Sequence, residues 1–422
     1  MSNRCLMVAF GSTMLNEDGY SVRVAMATRA VVAVQERSCP PPVLLSFEAL
    51  RSLRRRPQRK AAAARLRSIG AIPLFVPVFP ARMPFSYRLN GWWAALVVWV
   101  VCRLFSVGIV HAQSHAAASA AARALAWDRR RRLVFDVHGV DVEERQFYGA
   151  LDADSPEYGV RRRHERESFR RADVIITVSH DLERYVSAIL ASGGPRSPHP
   201  HIEVIPCVLS FSASPQDIED ARGKARTRLR LRGRPCVLYL GGSSGWQLSA
   251  ETVAAFAFLR RKLPSAFLLI LTGDVETFTE LCRDAGIPPA DFLITSCPHK
   301  EVADTACAAD AALLLRSDNI VNRVASPTKF AEYLSMGVPV VITDVLADFS
   351  GIVRDRDVGA VVPASNAPEL VAAAILDLLD APIDEQARTR TRCVVASQDL
   401  LSFESILPAY RRIYRPAAEA SR

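Results

Sequence analysis

The chain has 422 residues, which predicts two domains of roughly 200 residues each, and half of its residues are apolar, enough for two cores. The net charge of +9 at pH 7 favours anionic partners such as nucleotides, phospholipid headgroups or nucleic acid. The nine scattered cysteines show no C-x-x-C or zinc-finger spacing, which argues against such metal sites and suits a reducing compartment.

The first half of the chain alternates short β-rich runs with helical runs. It begins with a strand and its loop, MSNRCLMVAFGSTML, and no signal peptide is expected. The predicted strands are RCLMVAF, PVLLSF, IPLFVPVF, VGIVHA, LVFDVHG, DVIITVS and IEVIP. Helical runs such as RKAAAARLRSIG and DLERYVSAILASG lie between them, and this alternation predicts a parallel sheet covered on both faces.

The second half repeats the alternation after a pause at residues 207–234. Its predicted strands are PCVLYLGG, AFLLILTG, DFLITSC, AALLLR and VPVVIT, with helices such as SAETVAAFAFLRRKL and PTKFAEYLSM between them. We therefore predict an α/β protein with two doubly wound, Rossmann-like domains, residues 1–207 and 208–395, and a final segment, 396–422. Ligands of such sheets bind at the carboxyl ends of the strands, so the two domains are expected to face a cleft.

One apolar stretch, residues 91–110, has two interpretations. Its apolar run ends at Cys102, shorter than the ~20 residues that span a bilayer, so the first interpretation is a buried helix followed by a strand. The second is partial insertion at a membrane surface, which Trp92, Trp93 and Trp99 would suit.

Basic runs occur at residues 51–67, 129–132, 161–171 and 222–234. The simplest interpretation is solvated helix faces in an Arg-rich protein. The alternative is a surface for acidic lipid headgroups or for a lipid-linked phosphate acceptor. The runs lack interleaved aromatic residues, and we expect no nucleic-acid partner.

The segment SPTKFAEYLSMGVPVV predicts a helix start that contains an unusual cation. Ser326 suits the N-cap, Pro327 the first helical position and Gly337 the C-terminal end. Lys329 then lies in the first turn, where the helix dipole disfavours a cation unless an anion binds there. Glu332 follows on the same face, either as a surface partner of Lys329 or as an acceptor for two sugar hydroxyls.

These segments, in this order, resemble the GT-B glycosyltransferases of family 4 and its relatives. AALLLRSDNIVNRVASPTKFAEYLSMGVPVVITD resembles their donor-site signature, VLYLGGSSGWQ their Gly-rich loop, LLILTGD the next strand and SCPHKEV the turn beside the base. FDVHGVDVEE resembles the His-containing loop of the acceptor domain, and SFESILPAYRRIYRP the last helix, which crosses back to the first domain.

The resemblance implies a donor site in the second domain. Lys329 and Arg316 would neutralise the diphosphate, and Glu332 would bind the nucleotide ribose. The other donor-binding residues implied are Gly241, Gly242 and Ser243 of the Gly-rich loop, Ser326 and Thr328 of the helix start, and Pro298 and His299 beside the base.

Two departures from the family pattern affect the donor. The first Glu of the family's Glu-x7-Glu spacing is replaced by Val324, and Asn322 is the candidate for its role at the sugar. The Lys or Arg that usually follows the Gly-rich loop is also missing, and Trp246 and Gln247 stand there instead.

On the acceptor side, the resemblance implies binding by Gly11, Ser12, His138, Asp141 and Glu144. His138 is also the candidate catalytic residue beside Lys329 and Glu332. An inverting transferase needs a base, whereas in a retaining one the diphosphate can accept the proton; the resemblance favours retention.

We expect no metal and no cofactor, with a nucleoside-diphosphate sugar as co-substrate. His111 and His115 have i, i+4 spacing without a third ligand, and Asp152-Ala-Asp154 lies in a polar loop of the first domain.

The leading hypothesis is a hexosyltransferase that transfers a sugar from a nucleoside-diphosphate donor to a saccharide or lipid-linked acceptor in bacterial surface polysaccharide biosynthesis. The expected location is the cytoplasm, with an anionic membrane surface as a further partner at the inner face of the cytoplasmic membrane. The alternatives are a non-catalytic partner protein of the same fold and a sugar-nucleotide epimerase.

Overall fold

The computed structural model describes residues 4–10, 14–15, 19–36, 38–79, 86–126, 128, 130–192, 199–209 and 213–414. The chain divides into two compact units, Met1–Pro206 with Ile406–Arg422, and Cys207–Ser405.

The first unit is built on a parallel seven-stranded sheet with the order β3-β2-β1-β4-β5-β6-β7. Its strands are β1 (Cys5–Phe10), β2 (Val43–Ala49), β3 (Ile72–Val78), β4 (Ile109–Gln113), β5 (Arg132–Val137), β6 (Val174–Thr177) and β7 (His201–Val204). Its helices up to the boundary are α1 (Gly19–Val34), α2 (Leu50–Leu53), α3 (Arg56–Ser68), α4 (Ser86–Leu104), α5 (His115–Ala124), α6 (Asp141–Phe147), α7 (Pro156–Arg171) and α8 (His180–Ser192).

The second unit has a parallel six-stranded sheet with the order β10-β9-β8-β11-β12-β13. Its strands are β8 (Cys236–Leu240), β9 (Phe267–Leu271), β10 (Phe292–Thr295), β11 (Ala311–Leu314), β12 (Val340–Thr343) and β13 (Gly359–Val362). The remaining helices are α9 (Pro215–Arg228), α10 (Ser249–Lys262), α11 (Val275–Asp284), α12 (His299–Ala306), α13 (Ile320–Arg323), α14 (Thr328–Ser335), α15 (Ala347–Arg356), α16 (Pro368–Leu379), α17 (Ile383–Leu400) and α18 (Phe403–Tyr414).

Both faces of the second sheet are buried, as its apolar strands predict. Along β8, Leu238 packs into one core cluster with Phe330 of α14, whereas the next residue, Tyr239, packs into another with Phe256 of α10. Successive side chains of a strand point to opposite faces, so a strand buried on both sides has to be apolar throughout. The predicted fold class, two doubly wound parallel-sheet units, is confirmed.

All twelve predicted strand segments form strands, and β13 is an addition. The pause at 207–234 also contains structure, because α9 occupies part of it and belongs to the second unit. The Ser214 side chain and the Asp217 backbone and carboxylate form a capping box at its start, with Pro215 at the first position.

The stretch 91–110 does form the end of a helix, α4, followed by strand β4, but the helix is not buried as the first interpretation predicted. One face of α4 is exposed, and Trp92 retains 68% of its accessible surface. In the described part of the chain, no helix is long and apolar enough to cross a membrane.

The C-terminal helix joins the first unit later than predicted. Residues 396–405 belong to the second unit, and the chain rejoins the first unit at Ile406, within α18. There Tyr410 and Ile413 are buried, and the Tyr414 hydroxyl lies 2.6 Å from Nδ1 of His111 on the central strand β4.

We expect Tyr414→Phe to lower the free energy of unfolding by about 1–3 kcal/mol, because a buried His111 nitrogen would lose its hydrogen-bond partner. Chemical denaturation measures the change. Arg411→Ala, on the exposed side of the same helix, is the control and should stay within about 0.5 kcal/mol of the wild type. Equal stabilities of Tyr414→Phe and the wild type would contradict the role of this contact.

Candidate functional site

The carboxyl ends of β8 and β11 mark the point where the strand order of the second sheet reverses. From β8 the chain proceeds outward through β9 and β10, and from β11 it proceeds in the other direction through β12 and β13. In open parallel sheets this switch point is the usual ligand site, because the loops that leave the two central strands diverge there. The Gly-rich loop follows β8, and Arg316 lies just past β11.

Helix α14 is fixed to both central strands by one buried tyrosine. The Tyr333 hydroxyl accepts a hydrogen bond from the Leu240 amide at 2.9 Å and donates to the Leu313 carbonyl at 3.3 Å. These bonds hold the first turn of α14, with Lys329, next to the switch point.

The helix begins one residue later than predicted. Its N-cap is Pro327 and its first residue is Thr328, and no side chain caps the free amides. Ser326 is not the cap, because its hydroxyl accepts a hydrogen bond from the Cys207 amide at 2.9 Å. The uncapped amides of the first turn remain available to an anion.

Lys329 extends from this first turn to the Gly-rich loop. Its Nζ donates a hydrogen bond to Oε1 of Gln247 and lies 5.2 Å from the centre of the Tyr239 ring. Gly241 makes room for it: φ there is +122°, and a Cβ would lie 1.9 Å from Lys329 Nζ. Gln247 therefore replaces the expected cation of this loop with a neutral partner that holds Lys329.

Arg316 is the second cation, and it is 6% exposed. Its backbone is fixed on both sides, since its amide donates to Thr343 Oγ1 and its carbonyl accepts from Asn366 Nδ2, each at 3.0 Å. Its buried Nε has no hydrogen-bond partner. Among the described residues, no carboxylate forms an ion pair with Arg316 or with Lys329. Burial lowers the pKa of the Arg316 guanidinium.

The charge state of Lys329 reflects this environment. Burial, with a further contribution from the Arg316 charge, lowers the pKa of Lys329 to about 7, and Glu332 opposes the shift. A lysine loses its proton this easily only where the site lacks a counter-anion. The two cations therefore form a site whose charge suits an anion.

Ser243 of the Gly-rich loop has a different partner from the one that the resemblance implied. Its amide and its hydroxyl both donate to Oδ2 of Asp274, at 2.7 and 2.8 Å. These bonds lower the pKa of Asp274. Gly242 lies against the same carboxylate, which a Cβ would approach to 3.1 Å. Asp274, just after β9, thus holds the Gly-rich loop in place through its hydrogen bonds to Ser243.

Asn322 is buried, and its amide nitrogen is engaged within the protein. Nδ2 donates to the Ser317 carbonyl at 2.8 Å and lies 3.5 Å from the Trp246 carbonyl. This amide fixes the loop after β11, and the sugar contact that we expected of Asn322 stays a prediction. Val324 is buried as well, so the position of the family's first Glu lies in the core.

The remaining predicted donor residues lie on helices α12 and α14 of the second unit or at their start. Pro298 is the N-cap of α12, which follows the edge strand β10, and the His299 side chain lies outside the described set. Thr328 and Glu332 are half-buried on α14.

In the first unit, His138 follows β5 and belongs to a buried polar cluster. Its Nε2 lies 3.0 Å from Gln113 Oε1 and 3.5 Å from Asp136 Oδ1. Asp136 in turn forms a buried ion pair with Arg23 at 2.9 Å, and the nearby cations hold the pKa of Asp136 well below its usual range. Burial lowers the pKa of His138, so it is neutral near pH 7, and with Nε2 donating to Gln113 its Nδ1 can accept a proton.

The two predicted acceptor carboxylates of α6, Asp141 and Glu144, differ in whether they form ion pairs. Asp141 is paired with Arg145 at 3.1 Å and with Arg161 at 3.3 Å. Glu144 forms no ion pair among the described residues, and burial raises its pKa. Of these two predicted acceptor residues, Glu144 is therefore the better candidate base. Gly11 and Ser12 lie outside the described residues.

Within the described part of the chain, no group of three or more His, Cys, Asp or Glu residues is arranged to hold a metal ion. His111 and His115 have other partners, the Tyr414 hydroxyl and the Gly139 carbonyl.

Sequence reasoning missed the residues that hold the site residues in place. These are Gln247 and Asp274 in the second unit and Arg23, Gln113 and Asp136 in the first. A signal existed for Asp136, because a carboxylate in the apolar strand LVFDVHG needs a buried partner. The others pair with residues distant in sequence, which spacing does not reveal.

Solved structures share this arrangement of two parallel-sheet units. HepE from Anabaena, solved in complex with UDP, is 15% identical with a TM-score of 0.64, and the match covers 97% of this chain and 99% of HepE. WaaG, a glycosyltransferase involved in lipopolysaccharide biosynthesis, is 13% identical with a TM-score of 0.64, over 98% of this chain and 100% of WaaG. The trehalose 6-phosphate synthase from Burkholderia multivorans is 13% identical with a TM-score of 0.64 and full coverage of both chains. At these identities the likeness shows the fold, which is that of the GT-B glycosyltransferases.

Two family models match successive parts of the chain. The model described as Glycosyltransferase Family 4 matches residues 15–208, and the model described as Glycosyl transferases group 1 matches residues 234–381. Together these matches cover most of the chain and place it among the family 4 and group 1 glycosyltransferases. No curated protein matches the sequence.

We expect Gly241→Ala to destabilise the protein by about 1–3 kcal/mol, because alanine is strained at the φ of +122° found at this position. Chemical denaturation measures the change. Gly245→Ala in the same loop is the matched control, since a Cβ there meets nothing within 4 Å. If both variants are equally stable, the positive φ at Gly241 is wrong.

The low pKa of Lys329 predicts a pH dependence of stability. Between about pH 7 and about pH 10 the unfolded chain keeps a proton on this lysine that the native protein has released, so the stability contribution rises with pH. Denaturation curves recorded from about pH 6 to about pH 9 should show a steeper rise for the wild type than for Lys329→Met. Parallel pH profiles of the two proteins would mean that Lys329 keeps an ordinary pKa.

Proposed function

We propose that the protein transfers a hexosyl-type sugar from a nucleoside-diphosphate sugar to a saccharide or lipid-linked acceptor, with the donor diphosphate bound at Lys329 and Arg316. The observation that carries the proposal is the pair of cations at the β8–β11 switch point, which has no carboxylate partner among the described residues.

The energetics of the pair support an anionic ligand. A buried cation is costly unless it is paired, and two neighbouring cations also repel each other. A diphosphate would remove both costs, since it would restore the proton on Lys329 and supply an acceptor for the unpartnered Nε of Arg316. The uncapped amides of α14 add donors on the same side.

The same groups suit catalysis of sugar transfer. Negative charge develops on the diphosphate as the bond to the sugar breaks, and fixed cations at that position stabilise the leaving group. We therefore propose a metal-independent reaction in which Lys329 and Arg316 supply the positive charge, and retention of configuration with the diphosphate as proton acceptor. Glu332, one turn further along α14, is the proposed partner of the ribose hydroxyls.

The proposed acceptor residues are His138, Glu144 and Asp141. A neutral His138 and a Glu144 with raised pKa can orient or deprotonate a hydroxyl, whereas Asp141 keeps its two arginines in place. The proposed setting is bacterial surface polysaccharide biosynthesis at the inner face of the cytoplasmic membrane. The similar fold of WaaG, which takes part in lipopolysaccharide biosynthesis, supports this setting by analogy.

The first test is thermal stabilisation of the purified protein by UDP, GDP, ADP and CMP. A ligand that binds the native state raises the free energy of unfolding by about 2.7 kcal/mol at a concentration of 100 times its Kd. We expect one nucleoside diphosphate to stabilise the wild type. Lys329→Ala and Arg316→Gln should each weaken its binding by about ten- to a hundredfold, because each removes a charged hydrogen-bond donor.

Arg283→Gln is the matched control: Arg283 is an exposed cation on α11 of the same unit, and its removal should leave nucleotide binding unchanged. Stabilisation by CMP alone would exclude a diphosphate donor. Stabilisation by none of the four would favour a non-catalytic protein of this fold. Full binding by Lys329→Ala would remove this lysine from the site.

A further inference from the structure

Helix α4 presents one continuous apolar face to solvent. Its exposed large apolar side chains recur at the spacing of one helix face: Leu89, Trp92, Leu96, Trp99, Val100 and Leu104. We call these six residues the α4 stripe. Leu104 keeps 74% of its accessible surface and Trp92 68%, and an unbroken exposed patch of this kind marks an interaction surface.

The opposite face of α4 is fully occupied within the first unit. Ala94, Val98 and Cys102 are buried there, one helical turn apart. The Trp93 indole donates to the Pro77 carbonyl at 2.9 Å, and Asn90 bonds both the amide and the carbonyl of Phe79. The helix is thus held firmly from behind, and the stripe does not depend on a loose segment.

Arginines flank the stripe. The Arg103 guanidinium lies 5.3 Å from the centre of the Trp99 ring, and that of Arg123, on the neighbouring helix α5, lies 5.5 Å from the Trp92 ring. Arg88 is exposed near the start of α4. The sequences of α4 and α5 contain no Asp or Glu, and none of these three arginines forms an ion pair among the described residues.

The electrostatics behind the stripe are also positive. His164 of α7 is hydrogen-bonded to Arg123. Burial lowers the pKa of His164 to about 4, with further contributions from the positive charges of Arg123, Arg163, Arg161 and Arg88. His164 is therefore neutral near pH 7 and adds no charge of its own, whereas Arg161 is already paired with Asp141 and Glu157.

We propose that the α4 stripe, with Arg88, Arg103 and Arg123, docks on the surface of a membrane that contains anionic phospholipids. The two tryptophans and the leucines enter the boundary between headgroups and acyl chains, and the arginines bind lipid phosphates. The inference deepens the proposed membrane location, but it rests on α4 and not on the proposed reaction.

Charge favours a lipid surface over a second copy of this chain. In a symmetric dimer the same patch lies on both partners, so two copies that covered the stripe with each other would bring these unpaired arginines together. A bilayer with anionic headgroups instead offers phosphates around an apolar interior, which matches arginines that border an apolar stripe.

The test is sedimentation of the full chain with phosphatidylcholine vesicles and with vesicles that also contain phosphatidylglycerol. We expect binding to the anionic vesicles that weakens with added salt, and much less binding to phosphatidylcholine alone. Leu96→Glu and Arg103→Glu should each lower the bound-to-free ratio by about tenfold. The matched controls, Ile383→Glu and Arg283→Glu, change an exposed apolar and an exposed basic residue of the second unit and should bind as the wild type does.

Circular dichroism and the melting temperature establish that each variant is folded, and gel filtration gives its oligomeric state. Absence of the wild type from both vesicle pellets would overturn the proposal. So would binding that Leu96→Glu and Ile383→Glu reduce equally, or a wild-type dimer that Leu96→Glu dissociates without any vesicle binding. Nucleotide stabilisation is measured separately, so failure of docking and failure of the proposed donor site are distinguishable.

Discussion

The second unit depends on keeping two buried cations, Lys329 and Arg316, close together although neither forms an ion pair with a carboxylate of the described residues. Lys329 and Arg316 repel each other, and each would gain solvation if the chain around it loosened. Several features oppose that loosening. Tyr333 links α14 to both central strands, Gly241 leaves space for the Lys329 ammonium, and Gln247 Oε1 accepts a hydrogen bond from it. The local fold thereby maintains an electrostatic cost that the proposed donor diphosphate would relieve, as in other preorganised charge sites.

The sheets could be predicted from the sequence because strands buried on both faces must be apolar throughout. Strand β13 was not predicted, because its sequence GAVV is short and begins with a glycine. Its register beside β12 is decided by packing, which the sequence does not show. Helix α9 was not predicted, because the basic composition of residues 222–234 drew attention away from the helix-start pattern Ser-Pro-x-Asp. The Ser and Asp of this pattern form the capping box. The exposure of one face of α4 could not be predicted from the sequence either. An apolar helix looks the same in sequence whether its outer face is covered or left to solvent.

Lys329 was singled out because a lysine in the first turn of a helix needs a reason to be there, and Arg316 was assigned from the resemblance; their role at a donor stays a prediction. Residues with short polar side chains were less predictable. Ser326, Ser243 and Asn322 bond to Cys207, Asp274 and Ser317, and two of these partners lie far away in the sequence. A hydroxyl or amide in a motif can face a ligand or the protein itself. Only the three-dimensional inventory of donors and acceptors distinguishes the two.

The lowered pKa of Lys329 also has a consequence for its chemical reactivity. An amine with a pKa of about 7 is half unprotonated at neutral pH and is therefore a nucleophile, whereas an ordinary lysine is almost entirely an inert ammonium there. The sequence contains five lysines, at positions 60, 224, 262, 300 and 329, against a large excess of arginine. Arg316 beside Lys329 would in addition attract any reagent that carries a negative charge. The lysine that we propose to bind the donor diphosphate is thus also a point at which an anionic aldehyde or acylating agent would react.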